Sequence, residues 1–412
     1  MTTHEPPAGA AGATRSGNIS TTEFVAIMAL LFAMTAFSID AMLPALPEIA
    51  HDLSPEAPNR AQLIITSFVL GMGLGTFVTG PLSDSLGRRT VIAGGVTLYA
   101  CGALLAWLAP SLELVLAARL IQGLGVAGPR VAGMALVRDL HSGRQMARIT
   151  SFIMMIFTLV PAIAPLIGAQ IIRGYGWRGI FLAFLVFAAI ALMWFLLRQR
   201  ETLGRDDRRP FAARAILAAC REVLANRTVA LVMLAQTMIF AALFSTLASS
   251  QQIFDAYFGR GAEFPYWFAL VAVCAGTSSF VNASLVMRVG MRALTTVTFA
   301  AQGTFSGLLW LLLASGAIAG PGAFPLYLLW MISVFFMLGL TLGNLMAIAM
   351  EPMGHIAGTA ASLITAIATV LSVAIAIPVG FAFDNTPLPL VGSVFVLVAA
   401  SFAIVLSLPR SR

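Results

Sequence analysis

Three charged residues sit inside otherwise apolar runs, where charge is costly unless it is paired or put to use. Asp40 lies near the end of the first run, within Ser38-Ile39-Asp40-Ala41-Met42-Leu43-Pro44-Ala45-Leu46-Pro47, while Arg119 and Arg130 lie in the fourth. A lone carboxylate in low dielectric must be protonated or paired. Arg119 enters its run at a comparable depth, a few residues past Glu113, and is the obvious partner. An acid whose ionisation is set by burial against a guanidinium can exchange a proton and couple that exchange to conformation. The bland alternatives are a static ion pair or a helix cap, the latter in keeping with Pro44 close behind.

Arg130 follows Arg119 by eleven residues, which at about 100° per residue returns to within about 20° of the same helix face. Arg119, Gln122, Gly123 and Arg130 then form one polar stripe. Facing lipid would be costly for two arginines, so the stripe is expected to line a central cavity and to favour substrates with anionic or acceptor-rich groups. The alternative for Arg130 is to snorkel to the membrane edge as an anchor. Other polar side chains within apolar runs are Gln236, Ser249, Gln252, Asn282, Gln302 and Asn344. All six are substrate-contact candidates, Gln236, Asn282 and Asn344 foremost, with Ser249 and Gln252 near the outer end of their span, although such groups more often bond a neighbouring helix than a ligand. The 19 Met and 28 Phe supply adaptable apolar walls.

Gly80-Pro81-Leu82-Ser83-Asp84-Ser85-Leu86-Gly87-Arg88-Arg89 is a short charged string wedged between two long apolar runs. Asp84 and Arg88 are four residues apart and can pair locally, Gly87 permits a tight turn, and Arg88 with Arg89 fixes topology at a membrane edge. Solvated topogenic charge is the plainer reading. A gating contact accounts better for Asp84 and the glycines.

The elements that must position these groups follow from composition. The 412 residues are 59% apolar and only 10% charged, with mean hydropathy +0.93, whereas an ordinary soluble domain is about a quarter charged. The chain is read as an all-α, polytopic membrane protein. A crossing helix uses about 20 apolar residues, and the apolar runs divide into twelve: 22–45, 60–82, 89–109, 112–137, 147–172, 177–197, 228–253, 265–287, 292–316, 323–350, 356–383 and 388–408. The Arg-dense break 198–227 separates two six-helix bundles, 21–197 and 228–408, and its apolar patch Phe211 to Val223 suits a surface helix. Residues 1–20 are expected to be a disordered cytoplasmic tail, and 409–412 a second one.

Orientation follows from the arginines, since the chain has no lysine. With both termini cytoplasmic, eighteen arginines lie inside and four outside, with Arg119 and Arg130 within a span. The net charge of +7 is therefore topological and needs no nucleic-acid partner. All-Arg usage points to a GC-rich bacterial genome, hence to a bacterial inner membrane. Three scattered cysteines and four scattered histidines offer neither a disulfide framework nor a metal site. No phosphate-binding loop or soluble catalytic domain is present, so neither an enzyme nor an ATP-driven pump is expected, and no cofactor.

The eighth inter-span loop partly repeats the second. Counted from Gly290 as from Gly87, Leu285 matches Leu82 and Arg292 matches Arg89, but Met287 stands where Asp84 would be. A duplicated 6+6 architecture is the natural reading. Span five carries Pro161, Pro165 and Gly168, spaced four and three and so on one face, where proline bends the helix and glycine permits close contact.

Four strings in order now carry a family likeness: the loop Gly80 to Arg89; Ser38 to Pro47; Arg119-Leu120-Ile121-Gln122-Gly123-Leu124-Gly125 leading to Val137-Arg138-Asp139; and Pro161-Ala162-Ile163-Ala164-Pro165-Leu166-Ile167-Gly168 followed by Gly176-Trp177-Arg178. Together they resemble the drug/proton antiporters of the major facilitator superfamily, Bcr/CflA subfamily, over nearly all of 22–405. The resemblance implies a secondary transporter that exports small amphiphilic compounds or drugs in exchange for protons by alternating access, and a monomer is expected. It implies that Asp84 caps or pairs across to a helix of the other half, and that the proline face of span five seals the cavity against ion leak. Span five departs from the commoner Gly-Pro form, which bears on export direction. A proton-coupled metabolite exporter or importer is the alternative within the class. A transport-inactive membrane sensor, from a different class, is disfavoured by the absence of a signalling domain.

Overall fold

The computed structural model describes residues 19–408, apart from the side chains of 213 and 215. The tails read at 1–20 and 409–412 fall, but for Ile19 and Ser20, outside the described residues. Within them the regular structure is helical: α1 Thr21–Asp40, α2 Leu46–Leu53, α3 Leu63–Leu86, α4 Arg88–Leu108, α5 Leu112–Leu140, α6 Gly143–Tyr175, α7 Arg178–Arg198, α8 Ala213–Ala225, α9 Arg227–Gln252, α10 Phe264–Gly276, α11 Ser278–Val289, α12 Met291–Ala314, α13 Phe324–Met350, α14 Ala357–Phe381 and α15 Leu388–Leu406. Among the described residues eleven segments are long and apolar enough to cross a membrane; one of them, Gly320–Phe381, contains both α13 and α14, and two crossings are the natural division of its 62 residues. α8 lies in the polar break, close to the patch expected there.

Local sequence explains where the helices start and stop. Ser20 accepts from the Glu23 N–H at 3.1 Å and Asn226 from the N–H groups of Thr228 and Val229, so α1 and α9 begin at residues that satisfy first-turn donors. Pro44 and Pro47 cannot continue a hydrogen-bonded ladder, and α1 ends at Asp40 with a 3-10 turn before α2. Gly87 and Gly290 end α3 and α11 with nearly the same conformation, φ 101° and ψ 153° against φ 87° and ψ 152°, a region closed to residues with a Cβ. Arg89 Nη2 then donates to the Leu196 carbonyl at 2.9 Å, and Arg292 Nη2 to the Leu406 carbonyl at 3.1 Å. The half-erased loop thus keeps both the turn and the tie from its arginine to the last helix of its own half.

Small residues hold the helices together where lipid supplies no hydrophobic drive. A Cβ on Gly71 of α3 would meet the Leu120 carbonyl oxygen of α5 at 2.1 Å, and one on Gly123 of α5 would meet the Phe68 carbonyl oxygen at 2.0 Å. α5 therefore packs tightly between α3 and α4. Large apolar side chains such as Leu108, Met155, Leu197 and Val396 are exposed on the periphery, as a lipid-facing belt requires.

The two sets of helices meet where α3 packs on α14 and α6 on α10. One end of the bundle carries Arg88, Arg89, Arg138, Arg288 and Arg292; the other holds the α2 and Pro58–Gln62 segments. These are the arginine-rich and arginine-poor ends of the bundle.

Candidate functional site

A cavity of about 650 Å³ lies between the halves. Its wall is largely apolar, with Phe157, Phe240, Phe244, Phe268 and Phe335 prominent and Thr35, Thr158, Ser279, Asn282 and Thr369 as scattered polar groups. Asp40 from α1 and Arg130 from α5 are the charged residues lining it. Among the described residues neither makes an ion pair; the Arg130 Nη1 contact is with the Met72 sulfur at 3.2 Å. Pro161 also lines the cavity, whereas Pro165 is buried behind it. Gly168 packs against the residue after Asp40: a Cβ there would sit 2.2 Å from the Ala41 carbonyl oxygen.

The expected pairing of Asp40 with Arg119 is not formed. Arg119 is fully buried within the first half, donating to the Ser38 carbonyl at 2.9 Å, the Ile64 carbonyl at 3.3 Å and Gln122 Oε1 at 3.1 Å, while its guanidinium stacks 4.3 Å from the Phe68 ring centroid. Tyr99 completes the cluster by its 2.6 Å contact with Ser38 Oγ. The physical reason is hydrogen-bond number: a guanidinium carries five donors, and one backbone carbonyl each from α1 and α3 together with the Gln122 side chain satisfy three of them at once. The polar stripe accordingly divides. Arg119 ties α5 to α1 and α3 away from the cavity with Gln122 as an acceptor on its own helix, and Arg130 alone of the three reaches the cavity.

Among the other candidates, Asn282 lines the cavity and accepts from Asn344 Nδ2 at 2.8 Å; the same nitrogen also donates to the Leu340 carbonyl. Gln236 is buried on α9, outside the cavity wall, with its side-chain oxygen unpartnered.

The arginine-poor end is shut by a polar latch that sequence reasoning only half saw. Gln62 donates to Gln252 Oε1, and Ser249 Oγ donates to Gln62 Oε1 at 3.1 Å. Asn59 donates to the carbonyls of Phe381 and Phe383 at the end of α14. Ser249 and Gln252 stood out as polar residues near a helix end, but Asn59 and Gln62 look like loop residues in the Pro-rich stretch before α3. Only the approach of the two halves makes them partners.

At the arginine-rich end, Arg88 Nη1 donates to Asp84 Oδ1 at 2.5 Å and to Ser83 at 3.0 Å, and its Nε donates to Asp139 at 3.0 Å. Asp84 thus pairs within its own half in this conformation, not across to the other. It nevertheless borders a hollow of about 160 Å³ whose far wall is Gly358, Thr359 and Ser362, the first turns of α14. Glu201, which sequence reasoning missed, accepts from the N–H groups of Arg88 and Arg89 at 2.9 and 3.1 Å, so a carboxylate from the linker caps the start of α4. No local pattern signals this cap, because cap and helix are separated by 113 residues.

The family model of the Major Facilitator Superfamily matches residues 28–377. The chain belongs to that superfamily. It is 32% identical to a bicyclomycin resistance protein homolog of Haemophilus influenzae over 351 residues, 84% of this chain and 85% of the relative, which places it with the Bcr/CflA-type members. It is also 36% identical to a chloramphenicol resistance protein of Pseudomonas aeruginosa over 39% of each chain. Among solved structures, a D-xylose–proton symporter superposes with TM-score 0.76 at 15% identity, covering 94% of this chain and 98% of that one, a likeness of fold. This superfamily member is a multi-pass membrane transporter of small molecules with the twelve-helix fold, and not an enzyme.

Proposed function

We propose that this superfamily member resides in a bacterial inner membrane with both termini cytoplasmic and works as a monomer. It exports small amphiphilic compounds or drugs in exchange for protons by alternating access. The observation that carries this reading is the cavity between the halves, whose ionisable lining among the described residues is Asp40 and Arg130 and which is latched shut at the arginine-poor end. With the arginine-rich end in the cytoplasm, the conformation is one closed toward the outside.

In this scheme Asp40 is the proton carrier. A proton and the substrate compete for it, so loading one requires release of the other. Arg119 acts through the backbone: its bond to the Ser38 carbonyl fixes the turn of α1 that carries Asp40. Asp84 is the gate. When the arginine-rich ends close, its carboxylate exchanges Arg88 for the first-turn N–H groups of α14 across the hollow, a favourable place for negative charge. The face of Pro161, Pro165 and Gly168 keeps α6 sealed against α1 next to Asp40. The printed names of the bicyclomycin and chloramphenicol resistance relatives support drugs as cargo.

Transport into proteoliposomes under an imposed pH gradient tests the scheme. The native chain is expected to show proton-driven flux and Asp40→Asn to lose the coupling. Proton-independent flux in the native chain, or unchanged coupling in the variant, overturns it.

A further inference from the structure

Asp40 and Arg130 face the same cavity from α1 and α5, are an acid and a base, and have no ion-pair partner among the described residues. Among the described residues the rest of the wall, contributed by α3, α6, α9, α10, α11, α13 and α14, holds no ionisable side chain. An apolar wall strengthens whatever ionic contact a ligand brings. A ligand with one charge answers one of these groups and leaves the other unmet. A ligand with two opposite charges answers both.

We propose that the preferred substrates are zwitterionic amphiphiles, with the cationic end at Asp40, the carboxylate end at Arg130 and an aromatic or aliphatic body against the phenylalanine wall. The inference rests on the reading of this cavity as the transport site and specifies its substrate class. It also fits exchange for protons, since only the cationic end competes with the proton on Asp40. The anionic end binds a guanidinium that keeps its charge throughout. A cavity of about 650 Å³ suits a small molecule of this kind.

Four matched probes with the groups at opposite ends of a biphenyl separate the contributions: 4′-(aminomethyl)biphenyl-4-carboxylic acid as zwitterion, its carboxamide as cation, 4′-(hydroxymethyl)biphenyl-4-carboxylic acid as anion and the carboxamide of the latter as the neutral form. Equilibrium binding to the purified full chain in nanodiscs is expected to rank the zwitterion ~10-fold or more above each of the others, the scale of one charge-assisted hydrogen bond. In Arg130→Gln the zwitterion is expected to fall to the affinity of the cation, which itself stays unchanged. In Asp40→Asn it is expected to fall to that of the anion. Arg130→Lys and Asp40→Glu, which keep the charges, control for folding and are expected to retain part of the preference. A singly charged or neutral probe that binds the native chain as tightly as the zwitterion overturns the proposal. So does equal weakening of all four probes by Arg130→Gln, or no binding of any. Binding is read without a gradient, so the expected ranking in a chain that shows no proton-driven flux would sink the transport reading and leave this one standing.

Discussion

Replacing Gln62 by Leu should release the latch at the arginine-poor end. Gln62 is 3% exposed and makes two cross-half hydrogen bonds, donating to Gln252 and accepting from Ser249. Leucine nearly fills the volume but can make neither bond. At ~0.5–1.5 kcal/mol net for each, the closed arrangement loses about 1–3 kcal/mol. The open arrangement loses little, because Gln252 and Ser249 meet water once the ends part. That difference corresponds to a shift of ~5–150-fold toward the state with separated arginine-poor ends. Spin labels at cysteines replacing Glu56 and Ala382, both exposed and on opposite sides of the latch, would report it by double electron–electron resonance. The background would have Cys101, Cys220 and Cys274 replaced. A long-distance population is expected to grow in Gln62→Leu, and further when Asn59→Ala removes the bonds to the Phe381 and Phe383 carbonyls. A distance distribution indistinguishable from that of the parent would refute the latch.

Arg119→Leu removes charge-assisted bonds to Ser38, Ile64 and Gln122 and should lower stability by ~3 kcal/mol or more, with Arg119→Lys recovering only part because an ammonium lacks the planar fork; thermal unfolding in detergent measures both. In Gly168→Ala the new methyl, 2.2 Å from the Ala41 carbonyl oxygen, must force α6 and α1 apart. A loss of ~1–3 kcal/mol is expected together with impaired proton exchange, whereas Gly174→Ala, with open space around it, should be silent in the same assays. Glu201→Gln keeps the shape of the α4 cap but removes its charge from the helix start. A loss of ~0.3–1 kcal/mol, smaller at high salt, is expected in unfolding titrations at two ionic strengths.

Much of the fold was legible in the chain because the membrane imposes a coarse rule. Backbone polar groups in hydrocarbon must be satisfied within each segment, so an apolar run of the right length is a helix whatever surrounds it. The turn at Gly87 was equally visible, since its φ of 101° suits glycine and little else. The site was legible only in part. Asp40 and Arg130 were marked by being charged in the wrong place, and both line the cavity. Helical periodicity set Arg119 on the same face as Arg130, yet eleven residues along a helix also separate them by about 16 Å. At that depth Arg119 finds carbonyls of α1 and α3 in place of the cavity.

Residue type and order alone therefore determined the crossings, the charge asymmetry of the loops and the short roster of groups able to hold charge in a membrane. Those are properties of a segment and its solvent. What the tertiary structure decided was partnership: Arg119 with backbone instead of Asp40, Asp84 with Arg88 and not the other half, Glu201 with a helix 113 residues away, and Gln62 with Gln252 across the two halves. Hydrogen bonds form over about 3 Å, and which groups come that close is set by how the helices pack, a relation between segments distant in the chain that no local pattern encodes.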